Sequence, residues 1–295
     1  MNIDGWIDDK DAVDEVVSTL EFADVSLTPI GSVPVGALPE NVYLWDIARK
    51  VTGSLLPPKN QGKVGSCVSF ATARAITYTM LAEIASGEKE SYVDICEEVI
   101  YGGSRVEIGG GMLRGDGSVG AWAAKWVSCY GLVVRGSYGD IDLSSYSETR
   151  CREYGAKGVP TELELEAKLH PVSSATRVRN WDDAKRALAN GYGISLCSNQ
   201  GFTMARDKDG VATKSGSWAH AMCLCGYAKI GSYEYGRIDN SWGSSAHTGP
   251  VGPGNPGPEG FYARADIIHN MLNSGDCWIY ADVTGFKKRE LNWLI

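Results

Sequence analysis

The stretch Gln61-Gly62-Lys63-Val64-Gly65-Ser66-Cys67 runs directly into CVSFATARAITYTMLAEIASG (67–87), and this junction decides how the chain is read. Apolar residues recur at Phe70, Ile76, Met80, Leu81 and Ile84, near helical spacing, and Gly87 is a natural stop. Ser66 is placed to cap the helix, so Cys67 falls in its first turn. Free N–H groups and the helix dipole favour negative charge there. Both lower a thiol's pKa, and the thiolate is the nucleophilic form. With Gln61, His220 and Asn240 all present, a thiolate preformed at neutral pH is expected. Taken alone, the segment reads more simply as a buried, inert cysteine, because cysteine is among the most buried residue types.

A reactive thiolate needs a base and a group that aims the base, usually distant in sequence. His220 lies in SGSWAHAMCLCGY (215–227), at the start of an apolar strand, where a core histidine is the plainer reading. Asn240 lies in GRIDNSWG (236–243), at the end of the next strand, where it could be only a turn residue. Neighbouring antiparallel strands would bring the two side by side. The asparagine carbonyl would then accept the imidazole N–H and hold the ring toward the thiolate. The three segments together carry far more than any one of them.

The rest of the chain bounds this reading. Its 295 residues allow one large domain or two packed lobes. The net charge of −8 argues against partners such as nucleic acid or an anionic membrane surface. No stretch approaches the roughly 20 apolar residues of a membrane span. MNIDGWIDDKDAVDE has no apolar core like that of a secretory signal, so an intracellular, reducing site is expected, with the eight cysteines reduced. No Cys-x2-Cys or His-x3-5-His pair suggests a metal. Gly115–Gly120 (GDGSVG) fits G-x-G-x-x-G but lacks a preceding strand and a βαβ unit, so no dinucleotide is expected.

Residues 11–20 read as a short helix followed by an extended arm, and 38–66 read mostly as loop. AWAAKWVSCYG (121–131) reads as a helix with Trp122 and Trp126 toward the core. Thr161 with Glu164, and Asn180 with Asp183, look like capping boxes. GISLCS (193–198), AHAMCLCGYA (219–228), YEYGRIDNSW (233–242) and CWIYADV (277–283) read as strands, and HTGPVGPGNPGPEG (247–260) as a loop. Cys223 and Cys225 alternate to one face and read as core. Helices followed by strands indicate α+β.

Three segments resemble the papain-like cysteine proteases (peptidase family C1). KNQGKVGSCVSFA (59–71) is similar to that family's cysteine motif, WAHAMCLCGY (218–227) to its histidine segment and RIDNSWG (237–243) to its Asn-Ser-Trp-Gly segment. Separations of 153 residues from Cys67 to His220 and 20 from His220 to Asn240 are compatible with that order. ALPENVYLWD (37–46) resembles the start of the mature domain, GDGSVGAWAAKWVSCYGLV (115–133) a glycine loop and helix beside the cleft, and WDDAKRALANGYGISLCS (181–198) the opening of the second lobe. The likeness spans about 38–285.

The resemblance implies a two-lobed α+β fold, with a mainly helical lobe (38–150) carrying Cys67 and a β-rich lobe (151–286) carrying His220 and Asn240. Residues 1–37 would be an N-terminal extension, pro-like or docking, and 287–295 a tail. It implies peptide-bond hydrolysis without cofactor or metal. Cys67 would be the nucleophile and His220 the base. Asn240 would orient the base, and Trp242 would shield their bond. Gln61 would serve the oxyanion with the Cys67 N–H. Gly117, Ser118, Ala219 and Trp242 would contact the peptide or protein substrate. Val64 and Val68 depart from the family, standing where secreted members carry a disulfide cysteine and a tryptophan. The short extension departs from a full inhibitory propeptide. A bacterial or viral intracellular setting fits these features. The alternative is a papain-like domain used for binding, or as part of an assembly such as a virion docked through 1–37, without cleavage.

Overall fold

The computed structural model describes residues 4–24, 38–88 and 90–283. The arm proposed for 25–37 and the tail 287–295 lie outside these residues. Helix α1 (Lys10–Thr19) begins where Asp9 accepts the Ala12 N–H at 2.9 Å, close to the expected 11–20. Strand β1 (Val42–Tyr43) leads into helix α2 (Leu44–Thr52), which the loop reading of 38–66 missed. Leu44, Trp45 and Ala48 bury one face of α2, and Gly53 ends it at φ +81°.

Helix α3 (Cys67–Ala85) is the axis of the fold. Small and apolar residues surround it on all sides, so nearly every position is buried, as expected of a helix enclosed by other elements. Helix α4 (Glu97–Gly103) continues through a π turn at Ser104–Ile108, and α5 (Gly120–Cys129) follows the glycine loop. The short strands β2 (Ser137–Tyr138) and β3 (Ile141–Asp142) pair, and α6 (Glu148–Lys157) completes the helical part.

Helix α7 (Thr161–Ala167) corrects one expectation. Pro160 stands at its N-cap, its carbonyl accepting from Leu163 and Glu164, and no Thr161 side-chain cap forms. Strand β4 (Val172–Arg177) was not anticipated. Helix α8 (Trp181–Ala189) opens as expected, Asn180 accepting the Asp183 N–H at 2.9 Å and donating to the Asp183 carboxylate at 2.7 Å.

Strands β5 (Ile194–Phe202) and β6 (Lys214–Ile230) run beyond their expected segments, whereas β7 (Tyr233–Asp239) ends three residues before the expected 242. Strand β8 (Gly260–Arg264), helix α9 (Ala265–Leu272) and strand β9 (Cys277–Val283) finish the described chain. The sheet runs β4-β9-β5-β6-β7-β8, with β1 added on β6, and its pairings are antiparallel. Cys67 at the start of α3 meets the middle of β6, and one continuous apolar core joins the helices to the sheet.

Candidate active site

The two long strands β6 and β7 set the relation between His220 and Asn240. Cys223 lies opposite Asp239, so Asn240, one residue past the end of β7, comes level with Met222 and diagonal to His220 on the same face. His220 Nε2 is 2.9 Å from Asn240 Oδ1, and the Ser241 N–H donates to the same oxygen at 2.8 Å. The imidazole stacks on Trp242, with ring centroids 4.5 Å apart and planes at 29°, and Trp218 meets Trp242 edge-on. His220 is fully buried, and its Nδ1 has no hydrogen-bond partner among the described residues.

Cys67 arrives from the opposite side. Its Sγ accepts the N–H of Ala221, the residue after His220, at 3.4 Å. Ser66 stands at the N-cap position but does not cap. Its Oγ lies 3.5 Å from the Val64 carbonyl and 3.3 Å from the Tyr146 hydroxyl. Gln61 is fully buried. Its Nε2 donates to the Val64 carbonyl at 2.9 Å, and its Oε1 accepts from Ser241 Oγ at 2.6 Å. One amide hydrogen of Gln61 remains after that bond.

The expectation of a preformed thiolate is not met in this arrangement. Burial pushes the Cys67 thiol up to about 12, outweighing the lowering by the Ala221 and Val68 N–H groups, and the charge of Asp4 adds to the rise. Burial likewise pushes His220 down to about 4, against the hydrogen bond to Asn240. Thiol and imidazole are both neutral here. Loss of solvation outweighs the helix dipole because nothing charged compensates it.

The N-terminal segment runs directly beside this site, with Gly5 against Gly65. The N–H groups of Gly5 and Trp6 both reach the Ala219 carbonyl at 2.9 Å. Ser118 N–H donates to the Gly5 carbonyl at 2.8 Å, and Ile7 N–H to the Ser118 carbonyl at 2.9 Å, a parallel bridge centred on Trp6 and Ser118. The Trp6 indole donates to Asp276 at 2.8 Å, within a buried site where Gly120 N–H (2.7 Å) and Trp278 Nε1 (2.8 Å) also reach that carboxylate. Burial raises the Asp276 pKa, and these donors oppose it.

Of the two residues named in the glycine loop, Ser118 meets the extended chain through its own N–H and carbonyl. Gly117 does not. Its N–H is held by the Tyr101 hydroxyl at 3.0 Å and its carbonyl by Arg105. Gly117 adopts φ +114°, a turn that frees Ser118 to face the strand. Trp6, Asp276, Ser241 and His247 were not singled out from the sequence. Only Ser241 carried a local signal, since it lies inside the quoted NSWG segment.

Among the described residues, no group of three or more histidine, cysteine or acidic side chains is placed to hold a metal ion. No helix among them is long and apolar enough to cross a membrane. Residues 43–249 match the family model described as Papain family cysteine protease, and the chain belongs to that family. It is a cysteine peptidase, and thus a hydrolase. Its fold is similar to xylellain, a cysteine protease from Xylella fastidiosa, at 20% identity over 96% of this chain and 97% of that one, with a TM-score of 0.63. It is also similar to procathepsin B S9 from Trypanosoma congolense (14%, 96% and 86%, TM-score 0.59). Digestive procathepsin L 3 of Tenebrio molitor larval midgut resembles it too (15%, 92% and 79%, TM-score 0.56). No curated protein matches the chain significantly.

Proposed function

We propose that the chain is an endopeptidase acting through a thioester acyl-enzyme, and that its N-terminal strand keeps it latent. With the strand away, water returns to the cleft and the proton of Cys67 passes to His220 Nδ1. The Cys67 sulfur attacks the scissile carbonyl carbon. The oxyanion takes the Cys67 N–H and the remaining Gln61 amide hydrogen. Collapse breaks the C–N bond, and His220 returns the proton to the leaving amine. A water molecule, deprotonated by His220, then hydrolyses the thioester. Asn240 keeps Nε2 protonated so that Nδ1 remains the base. Trp242 shields their bond from water.

The observation that carries this reading is the 2.9 Å bond from His220 to Asn240, on a ring whose other nitrogen is unengaged and whose strand meets the Cys67 sulfur. Nothing comparable supports a binding or virion-assembly role without cleavage. The lobes are taken as 38–150 and 151–286. The eight cysteines are taken as reduced and the setting as cytoplasmic.

The strand also suggests the substrate. A peptide paired at Ser118 would place one side chain where the Trp6 indole lies, over Asp276. That position favours a side chain with an N–H donor, such as tryptophan, arginine or lysine. The test of the reading is labelling by an epoxide thiol inhibitor with peptide mapping. Attachment at Cys67, faster once residues 1–24 are removed, is expected. Attachment at another cysteine, or none after removal, contradicts it.

A further inference from the structure

An asparagine that aims a histidine has a problem of its own. The two ends of its amide are nearly equal in size, and rotation by half a turn would replace the acceptor with a donor. A flipped Asn240 would point N–H at the His220 N–H, and His220 would lose its bond or change tautomer. The arrangement around Asn240 addresses this from both ends. Oδ1 receives His220 Nε2 and the Ser241 N–H. Nδ2 lies 3.1 Å from Nε2 of a second histidine, His247.

That contact is a hydrogen bond only if His247 Nε2 carries no proton. Its surroundings keep the ring uncharged, and the Asn240 amide then selects the tautomer protonated at Nδ1, which leaves Nε2 bare. His247 is 3% exposed and lies against Phe261, with centroids 4.8 Å apart. Burial, then the positive charges of Arg206 and Arg237, push it down to about 4, while the Met204 carbonyl works weakly the other way and His220 adds a further lowering. Both guanidiniums are fixed by backbone carbonyls of the glycine- and proline-rich loop. Arg206 holds Pro258 at 2.9 Å and Gly249 at 2.7 Å, and Arg237 holds Val251 at 3.3 Å. The loop thus keeps two cations beside a ring that must stay uncharged.

We infer that His247 is a positioning residue for the proposed reaction: as a neutral acceptor it locks the Asn240 amide, and through it the His220 tautomer that leaves Nδ1 free to serve Cys67. This rests on the Cys67–His220–Asn240 reading and adds a fourth member that does not touch substrate. A purely space-filling His247 would give the same packing but none of the following behaviour.

The test uses the full chain labelled with 15N-histidine. His247 Nε2 should resonate as an unprotonated acceptor nitrogen between about pH 5 and 8, with His220 protonated at Nε2. A protonated His247 Nε2 overturns the inference, whether or not any variant folds. For turnover, His247→Phe keeps the ring and removes the acceptor, whereas His247→Gln restores one. In a Gly5→Ala chain, whose N-terminal segment cannot seat against Gly65, His247→Phe should lose about 10²-fold in kcat at unchanged KM, the scale of misplacing a reacting group, and His247→Gln should recover most of it. In the Asn240→Ala background, His247→Phe should cost nothing more, because residues acting as one unit are not additive. Equal losses in both backgrounds, or equal damage from Gln and Phe, overturn it. Full activity of Asn240→Ala would instead refute the underlying triad, and the inference with it.

Discussion

Gly5 and Gly65 meet backbone to backbone beside the nucleophile: a Cβ on Gly5 would stand 2.3 Å from the Gly65 carbonyl oxygen. Gly65 in turn would place a Cβ 2.6 Å from the Asp4 carbonyl oxygen. No side chain fits there, so the strand lies close to Ser66 and Cys67 only because both positions are glycine.

Gly5→Ala should therefore dislodge the strand without touching the proposed catalytic groups. Overpacking of this kind costs about 1–3 kcal/mol, enough for a roughly five-fold or greater gain in peptidase activity. Iodoacetamide should also reach Cys67 faster near neutral pH than in the unaltered chain. Activity and alkylation unchanged from wild type would mean that the strand does not gate the site.

Acid should loosen the closed state. His220 and His247 both titrate at about 4 in the fold, below the ordinary histidine value of 6.5. The unfolded or opened chain binds more protons in that interval. Their contribution is complete above about pH 6.5 and is lost as pH falls toward 4. Glu259, which burial pushes up to about 7, acts in the opposite sense over this window. In a Glu259→Gln variant, urea midpoints measured from pH 7 to pH 4 should therefore fall, and the protection factors of Trp6 and Ile7, corrected for the intrinsic pH dependence of amide exchange, should fall with them. Flat profiles across that window would contradict the burial of neutral histidines.

Gln61→Ala should leave a remnant of activity. One oxyanion donor is worth about 10²–10³ in kcat, and the Cys67 N–H remains. The same substitution strips the acceptor from Ser241 Oγ, now 2.6 Å away, so a modest fall in melting temperature should accompany it. A kcat equal to wild type in the folded variant would remove Gln61 from the oxyanion site.

Substrate choice should follow Asp276. Cleavage of a peptide mixture should show one position enriched in tryptophan, arginine or lysine. Asp276→Asn, which keeps size but not charge, should weaken the arginine and lysine preference more than the tryptophan preference. An unselective cleavage pattern, or one unchanged by the substitution, would refute the pocket.

Much of this site was readable in the residues. Cys67, His220 and Asn240 sit in segments whose period or turn chemistry is local, and β6 and β7 follow one another directly, so their pairing could be foreseen. Asn180 showed its cap because the partner is three residues away. Thr161 misled because the proline before it supplies the cap carbonyl. Helix α2 was lost among flanking prolines and glycines. Trp6 and Asp276 are 270 residues apart, and no local pattern joins them. His247 lies in a loop shaped by carbonyl contacts to Arg206 and Arg237, which leave no periodic trace. The closed thiol was missed for the same reason: the helix start was legible, but not the strand lying over it.

The most direct measurement is hydrolysis of an unstructured peptide pool by the Gly5→Ala protein with and without a further Cys67→Ala substitution, both checked for folding by circular dichroism. The account predicts turnover with Cys67 present and none above background without it. Equal hydrolysis by the two proteins, or none by the protein that retains Cys67, would contradict the assignment of Cys67 as the nucleophile.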